Sequence, residues 1–182
     1  MTPARRTAVT VVGVLSFSFV IAMVGGRVLD DGSSGVAGAA SGPASSRVVS
    51  GVGPAEAPFD TLTAGTIRVG GRPVDVVVAD SLAERVQGLR GRPDPAPYAG
   101  MLFVFPADTT VAFTMAGVPD VLDVAFFDAR GRRVDQLRMK PCAGTDATCP
   151  VYEADGAYRY TLETAPGAMP TGRLRVAVSP PA

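Results

Sequence analysis

Histidine is absent from this chain. That removes the commonest general base and the commonest metal ligand together. Neither a Ser-His-Asp nor a Cys-His catalytic site can be built from it alone. Only two cysteines are present, so a zinc site of the usual Cys/His type is excluded as well. Formal net charge is zero and no long run of one sign occurs. A nucleic-acid partner wants a basic face, and none is expected here. No motif asks for a cofactor or a metal. Lys140 is the sole lysine, so the cationic side is almost entirely arginine, which favours planar, bidentate pairing with carboxylates.

The residues that are present divide the 182-residue chain into three parts. Residues 1–26 form a leader: Arg5 and Arg6 precede an uncharged apolar run from Ala8 to Val24. As a helix that run is about 26 Å long, near the lower limit for crossing a bilayer. The leading arginines predict that the remainder of the chain lies outside the membrane. Two readings stay open, a single-pass anchor in the cell membrane and a signal peptide cleaved at Val24-Gly25-Gly26 with secretion of the rest. No cysteine comes after the run, which argues against a lipoprotein. Residues 27–62 are rich in Gly, Ala, Ser and Pro. They bury too little apolar surface to offset their ordering entropy and read as a flexible linker. Residues 63–182 are the expected folded domain.

Within that domain Gly70-Gly71 joins two β-branched runs and predicts a hairpin. Ser81-Leu82-Ala83-Glu84 fits a capping box. Leu82, Val86 and Leu89 then recur on one helical face, and Gly91 and Pro93 supply the stop. Met101 to Phe105 is apolar on both faces, as in a covered central strand that ends at Pro106. Thr110 to Met115 alternates and reads as a strand, and Val121 to Asp128 as another. Asp128 to Gly131 turns into Arg133–Met139. Tyr158, Tyr160 and Leu162 share one face of a further strand, opposite Arg159, Thr161 and Glu163. Leu174, Val176 and Val178 mark the last. Many short strands and one helix give a β-dominated α+β domain. Closure into a compact, barrel-like form would protect its edges.

Cys142 and Cys149 lie close together in KPCAGTDATCPVY. Outside the membrane a structural disulfide is expected. The alternatives are free thiols, redox activity, or a soft-metal site completed by Met139.

Several ordered blocks resemble the domain of unknown function 192 family. They are Glu84 to Arg92 (ERVQGLRGR), Gly100 to Phe105 (GMLFVF), Phe113 to Met115 (FTM), Leu122 to Gly131 (LDVAFFDARG), Pro141 to Tyr152 (PCAGTDATCPVY) and Tyr160 to Gly167 (YTLETAPG). Together they span Thr66 to Val178. The resemblance implies a compact β-rich domain and no established activity. One departure is plain. After Phe113 the family pattern resembles Trp-Met-Lys-Asn-Thr, whereas Thr114, Met115, Ala116, Gly117 and Val118 stand here.

The candidate ligand-binding residues are Asp123, Arg85, Arg92, Phe113 and Met115. Asp123 sits in an apolar run, and an isolated buried carboxylate needs partners. Arg85, Arg90 and Arg92 are the candidate arginines for it. Phe113 and Met115, with Met101, Phe103 and Phe105, line either a pocket or the core. Arg132, Arg133 and Arg138 form either a small basic face for lipid heads or an ordinary solvated strand. The expectation is a tethered or secreted extracytoplasmic module that binds a small molecule or a protein without catalysis. The alternative is a hydrolase-like enzyme using Asp123 with an arginine.

Overall fold

A computed structural model describes residues 48–175. The Ala8–Val24 segment, Val176 and Val178 lie outside the described residues. Nine strands and one helix occur among those described: β1 (Ser50–Pro54), β2 (Thr63–Val69), β3 (Arg72–Ala79), α1 (Leu82–Gln87), β4 (Gly100–Thr109), β5 (Phe113–Thr114), β6 (Leu122–Phe127), β7 (Arg133–Met139), β8 (Val151–Tyr152) and β9 (Tyr158–Thr164). Seven of them make one sheet in the order β1-β2-β3-β4-β9-β6-β7, while β5 pairs with β8 in a small second sheet. Only β3 and β4 run parallel, joined through α1; the other pairs are antiparallel.

The three apolar runs occupy the middle of this order. All of β6, the first six residues of β4 and most of β9 are buried. A strand covered on both faces gains from apolar residues at every position, and this explains the loss of alternation in these runs. One face packs Met101, Phe103, Leu122, Val124 and Phe126 with Leu89 and Met115. The other packs Leu102, Val104, Ala125, Phe127, Tyr160 and Leu162 with Ile67 and Val76.

The expected hairpin forms between β2 and β3, with Val69 opposite Arg72. Gly70 and Gly71 both take positive φ, 57° and 83°, which a two-residue turn of this hand requires.

Five expectations about the sheet are corrected. The sheet is not closed into a barrel: β1 and β7 end it, with no pairing between them. A short segment does the tying instead. Gly70 donates to the carbonyl of Arg173 at 2.9 Å, and Leu174 donates to that of Gly131, also at 2.9 Å. The tips of two hairpins are thereby joined through one isolated bridge, Val69 to Leu174. Second, the folded body begins before residue 63. β1 pairs with β2, Val48 and Val49 are buried, and Phe59 is fully buried. Edge pairing needs backbone groups more than apolar side chains, so a Gly/Pro-rich stretch serves.

Third, Pro106 lies inside β4. The pairing of β4 with β9 is irregular between Val104 and Thr109, and a residue without an N–H is tolerated there. Fourth, the strand expected at Thr110 to Met115 shrinks to Phe113–Thr114. Fifth, Tyr158 leaves the face of Tyr160 and Leu162 and joins the opposite core.

A candidate ligand cleft

Ser81 opens α1 with the expected reciprocal cap. Its hydroxyl accepts from the Glu84 N–H at 3.2 Å, and Glu84 Oε2 accepts from the Ser81 N–H at 2.8 Å. The helix ends sooner than expected, at Gly88, whose φ of 46° suits glycine. A Cβ there would also meet the Phe103 ring at 3.4 Å. Leu89 therefore lies in the following turn, and it alone of the three spaced residues is buried. Leu82 and Val86 are 72% and 62% exposed.

Those two side chains form one lip of a cleft of about 520 Å³. Its opposite wall is the irregular outer half of β4, Phe105 to Thr109, with Val111 to Thr114. Leu89, Phe103, Phe113 and Val118 line it further in. Phe113 meets Phe103 edge-on at 5.3 Å and Phe126 at 5.6 Å. The Tyr158 hydroxyl donates to the Val111 carbonyl and fixes the upper wall.

Arg85 fastens the helix to the sheet. Its Nη1 donates to the carbonyls of Asp80 and Val104, the latter at 2.9 Å. Its guanidinium stacks 5.1 Å above the Phe105 ring centroid. Arg90 fastens the turn after the helix. It donates to Ala116 O at 2.7 Å and pairs with Asp146 at 2.6 Å. Asp146 belongs to the loop closed by the Cys142–Cys149 disulfide, S–S 2.08 Å. No cysteine is free, so the soft-metal reading has no thiols to use.

Glu163 reaches the cleft from β9, which lies inside the sheet between β4 and β6. It stands opposite Met101 of β4 and Val124 of β6, on an apolar face, and is 5% exposed. Burial pushes its carboxyl up to about 8. Two residues back on that strand, the Thr161 hydroxyl is buried without a hydrogen-bond partner.

The residues expected to make a site are only partly gathered. Arg85 and Phe113 line the cleft. Met115 is core, 1% exposed. Arg92 is elsewhere, donating to Pro58 O at 2.7 Å and stacked 4.7 Å from the Phe59 ring centroid. Asp123 is paired by none of its three candidate arginines. Its partner is Arg138, directly across the β6–β7 pair. The grip is bidentate, 2.7 Å from Nε and 3.0 Å from Nη2, and the Gly167 N–H adds a bond of 2.7 Å. The Arg138 hydrogen bonds, helped by the Gly167 amide, outweigh burial and hold this carboxyl below its usual range. Regular counting from the Phe127–Arg133 pair would place Leu137 opposite Asp123; the irregularity between Phe126 and Phe127 brings Arg138 there instead. Glu163 gave no signal either. Its alternation with Tyr160 and Leu162 reads as a wet face unless the strand is known to be central.

A family model described as DUF192, uncharacterized ACR, matches residues 65–177. No curated protein matches. Among solved structures, the chain is similar to a protein of unknown function from Novosphingobium aromaticivorans DSM 12444. They are 22% identical, with 63% of this chain and 82% of that one covered and a TM-score of 0.54. It is also similar to a Sinorhizobium meliloti 1021 protein put forward as a transcription regulator. There the identity is 25%, coverage is 61% of this chain and 89% of that one, and the TM-score is 0.49.

Proposed function

The chain belongs to the domain of unknown function 192 family, and we propose that it is an extracytoplasmic, non-catalytic module holding a small apolar molecule in the cleft beside α1. The observation that carries this reading is the cleft itself. Leu82, Val86 and Val111 are exposed apolar side chains gathered around one concavity. Scattered surface apolar residues mean little, whereas a concave apolar group with a few polar atoms is the usual form of a small-molecule site. Thr114 and Val118, two of the positions departing from the family pattern, line it.

Location rests on different support. The Cys142–Cys149 bridge fits an oxidising compartment, and the apolar leader with arginines before it fits export, as an anchor or as a cleaved peptide. The hydrolase-like alternative has less support, because Asp123 is gripped by Arg138 and Gly167 and is not among the residues lining the cleft.

Titration with the neutral fluorophore N-phenyl-1-naphthylamine tests the binding reading. Saturable binding at one site is expected, abolished by Thr114→Trp, which fills the cleft without touching the core on the other face. Binding that ignores Thr114→Trp, or no saturable binding, ends the proposal. Protease accessibility of the domain on intact spheroplasts tests the location.

A further inference from the structure

We propose that Glu163 is the recognition group of this cleft, donating its carboxyl proton to a carbonyl-type acceptor on an uncharged apolar ligand. This rests on the reading of the cleft as a ligand site and names the class of ligand it takes.

The geometry comes first. Glu163 is 5% exposed and lines the cleft. Its neighbours across the sheet, Met101 and Val124, offer no donor in their side chains, and only the weak thioether acceptor of Met101. Its carboxyl has no hydrogen-bond or ion-pair partner among the described residues. A buried polar group left in this way costs free energy, on the order of 1–3 kcal/mol by mutational measures. Such a group in a binding cleft is explained when a ligand completes it. The unpartnered Thr161 hydroxyl lies on the same apolar side of β9, opposite Phe103 and Phe126.

The charge of the ligand is set by the groups that face Glu163. The inward residues of β4 are Met101, Phe103 and Phe105, and those of β6 are Leu122, Val124 and Phe126, none of them titratable. Among the described residues, other charged groups enter the cleft from three places: Arg85 and Arg90 from α1 and its following turn, Asp108 from the outer part of β4, and Asp146 from the disulfide loop. Asp146 is paired with Arg90 and Asp108 with Arg159. Arg85 is spent on two carbonyls. No cation is placed to hold a glutamate anion, so burial keeps the carboxyl protonated, with its pKa raised to about 8. At neutral pH it is an O–H donor in an apolar wall. A carbonyl oxygen satisfies that donor at little desolvation cost. An ammonium group would require two ions to be stripped of water for one contact, which their attraction seldom repays.

The test compares 2-octanone with octylamine, two probes with eight-carbon skeletons that differ in the polar group. Binding to the full chain is measured by calorimetry from about pH 6 to about pH 10, with the Glu163 carboxyl followed by carbon-13 resonance. The ketone is expected to bind, to raise the Glu163 titration midpoint, and to weaken about tenfold per pH unit once the carboxyl ionises. Octylamine is expected to bind at least about tenfold more weakly at neutral pH. Glu163→Gln keeps a donor, so it should retain ketone binding and flatten its pH dependence. Glu163→Leu should weaken the ketone by about tenfold, the worth of one hydrogen bond. Ketone binding that ignores Glu163 ionisation, or octylamine binding more tightly while lowering the midpoint, overturns the assignment and leaves the cleft as a ligand site. Failure of both probes to bind removes the cleft reading too.

Discussion

Asp123 and Glu163 stand one rung apart on neighbouring antiparallel strands and face opposite sides of the sheet. Asp123 is aligned with Thr164, and Glu163 with Val124. Both are almost fully buried, at 4% and 5% exposure. Their chemistry diverges all the same. Asp123 is gripped by Arg138 and Gly167, and its carboxyl is held below the ordinary value of 3.8. Glu163 has no partner among the described residues, and its carboxyl rises from 4.5 to about 8. Burial depth therefore does not decide the protonation state. The partner does: a paired buried acid is part of the scaffold, and an unpaired one in a cleft is available for binding.

The largest expected effect comes from removing the unpaired acid. Folded Glu163 holds its proton to about pH 8, whereas the unfolded chain releases it near 4.5. Between those values the folded state binds more protons, so stability must fall as pH rises. It is fully present below the lower value and levels off above the upper one. The loss across that window is on the order of 5 kcal/mol. Glu163→Leu should abolish the slope and leave the protein more stable than the parent at high pH. Urea midpoints measured along the pH axis check this. A parent curve that is flat from pH 5 to 8 would show that Glu163 has a partner after all.

Next is the disulfide, which borders only the cleft face. Replacing Cys142 and Cys149 by serine should cost about 2–3 kcal/mol in the chain-entropy view. It should also release Asp146 from Arg90, so ligand affinity should drop more than the cost in stability alone explains. Equal affinities in the folded range would show that the loop is a staple and no more.

Removing the paired acid is a smaller change. Asp123→Ala should cost about 1–2 kcal/mol at neutral pH, less than a fully buried pair, because the Arg138 side chain is 58% exposed and keeps its water. The sign of its pH dependence is opposite to that of Glu163. Its folded value is lowered, so its contribution is present above the ordinary carboxylate range and is lost as pH falls through the folded value. The acid limb of the stability curve should therefore flatten in Asp123→Ala. An unchanged acid limb would break the contrast.

Local chemistry makes much of this legible in the sequence. The Gly70-Gly71 turn, the Ser81 cap, the apolar strands and the paired cysteines each announce themselves within a few residues. The features that escape depend on distant partners. β1 reads as a linker because SGVGP has almost no apolar content, yet β2 supplies its hydrogen bonds. The helix reads too long because Gly91 and Pro93 are conspicuous breakers, while Gly88 acts through its fit beneath Phe103. Arg138 is passed over in favour of the helix arginines, because the irregularity between Phe126 and Phe127 that brings it across from Asp123 has no local signal. Glu163 is invisible for a deeper reason. Whether its face is wet or dry depends on β9 lying between β4 and β6, and strand order is a property of the whole chain.

The smallest effect separates the two acids most cleanly. Asp146→Ala breaks a pair whose side chains are 30% and 65% exposed, so stability should change by less than about 1 kcal/mol. Arg90 stays in place, because it also donates to the carbonyls of Val86 and Ala116. Its positive charge is then uncompensated at the mouth of the cleft. That favours an ionised Glu163, whose midpoint should fall by about a few tenths of a pH unit at low salt and by less as salt is added. Asp123, shielded by the sheet and already neutralised by Arg138, should not move. Carbon-13 titration of both carboxyls in one sample reads the pair together. Equal shifts would mean that both acids feel the same field, and the division of the sheet into a sealed face and a receptive one would fail.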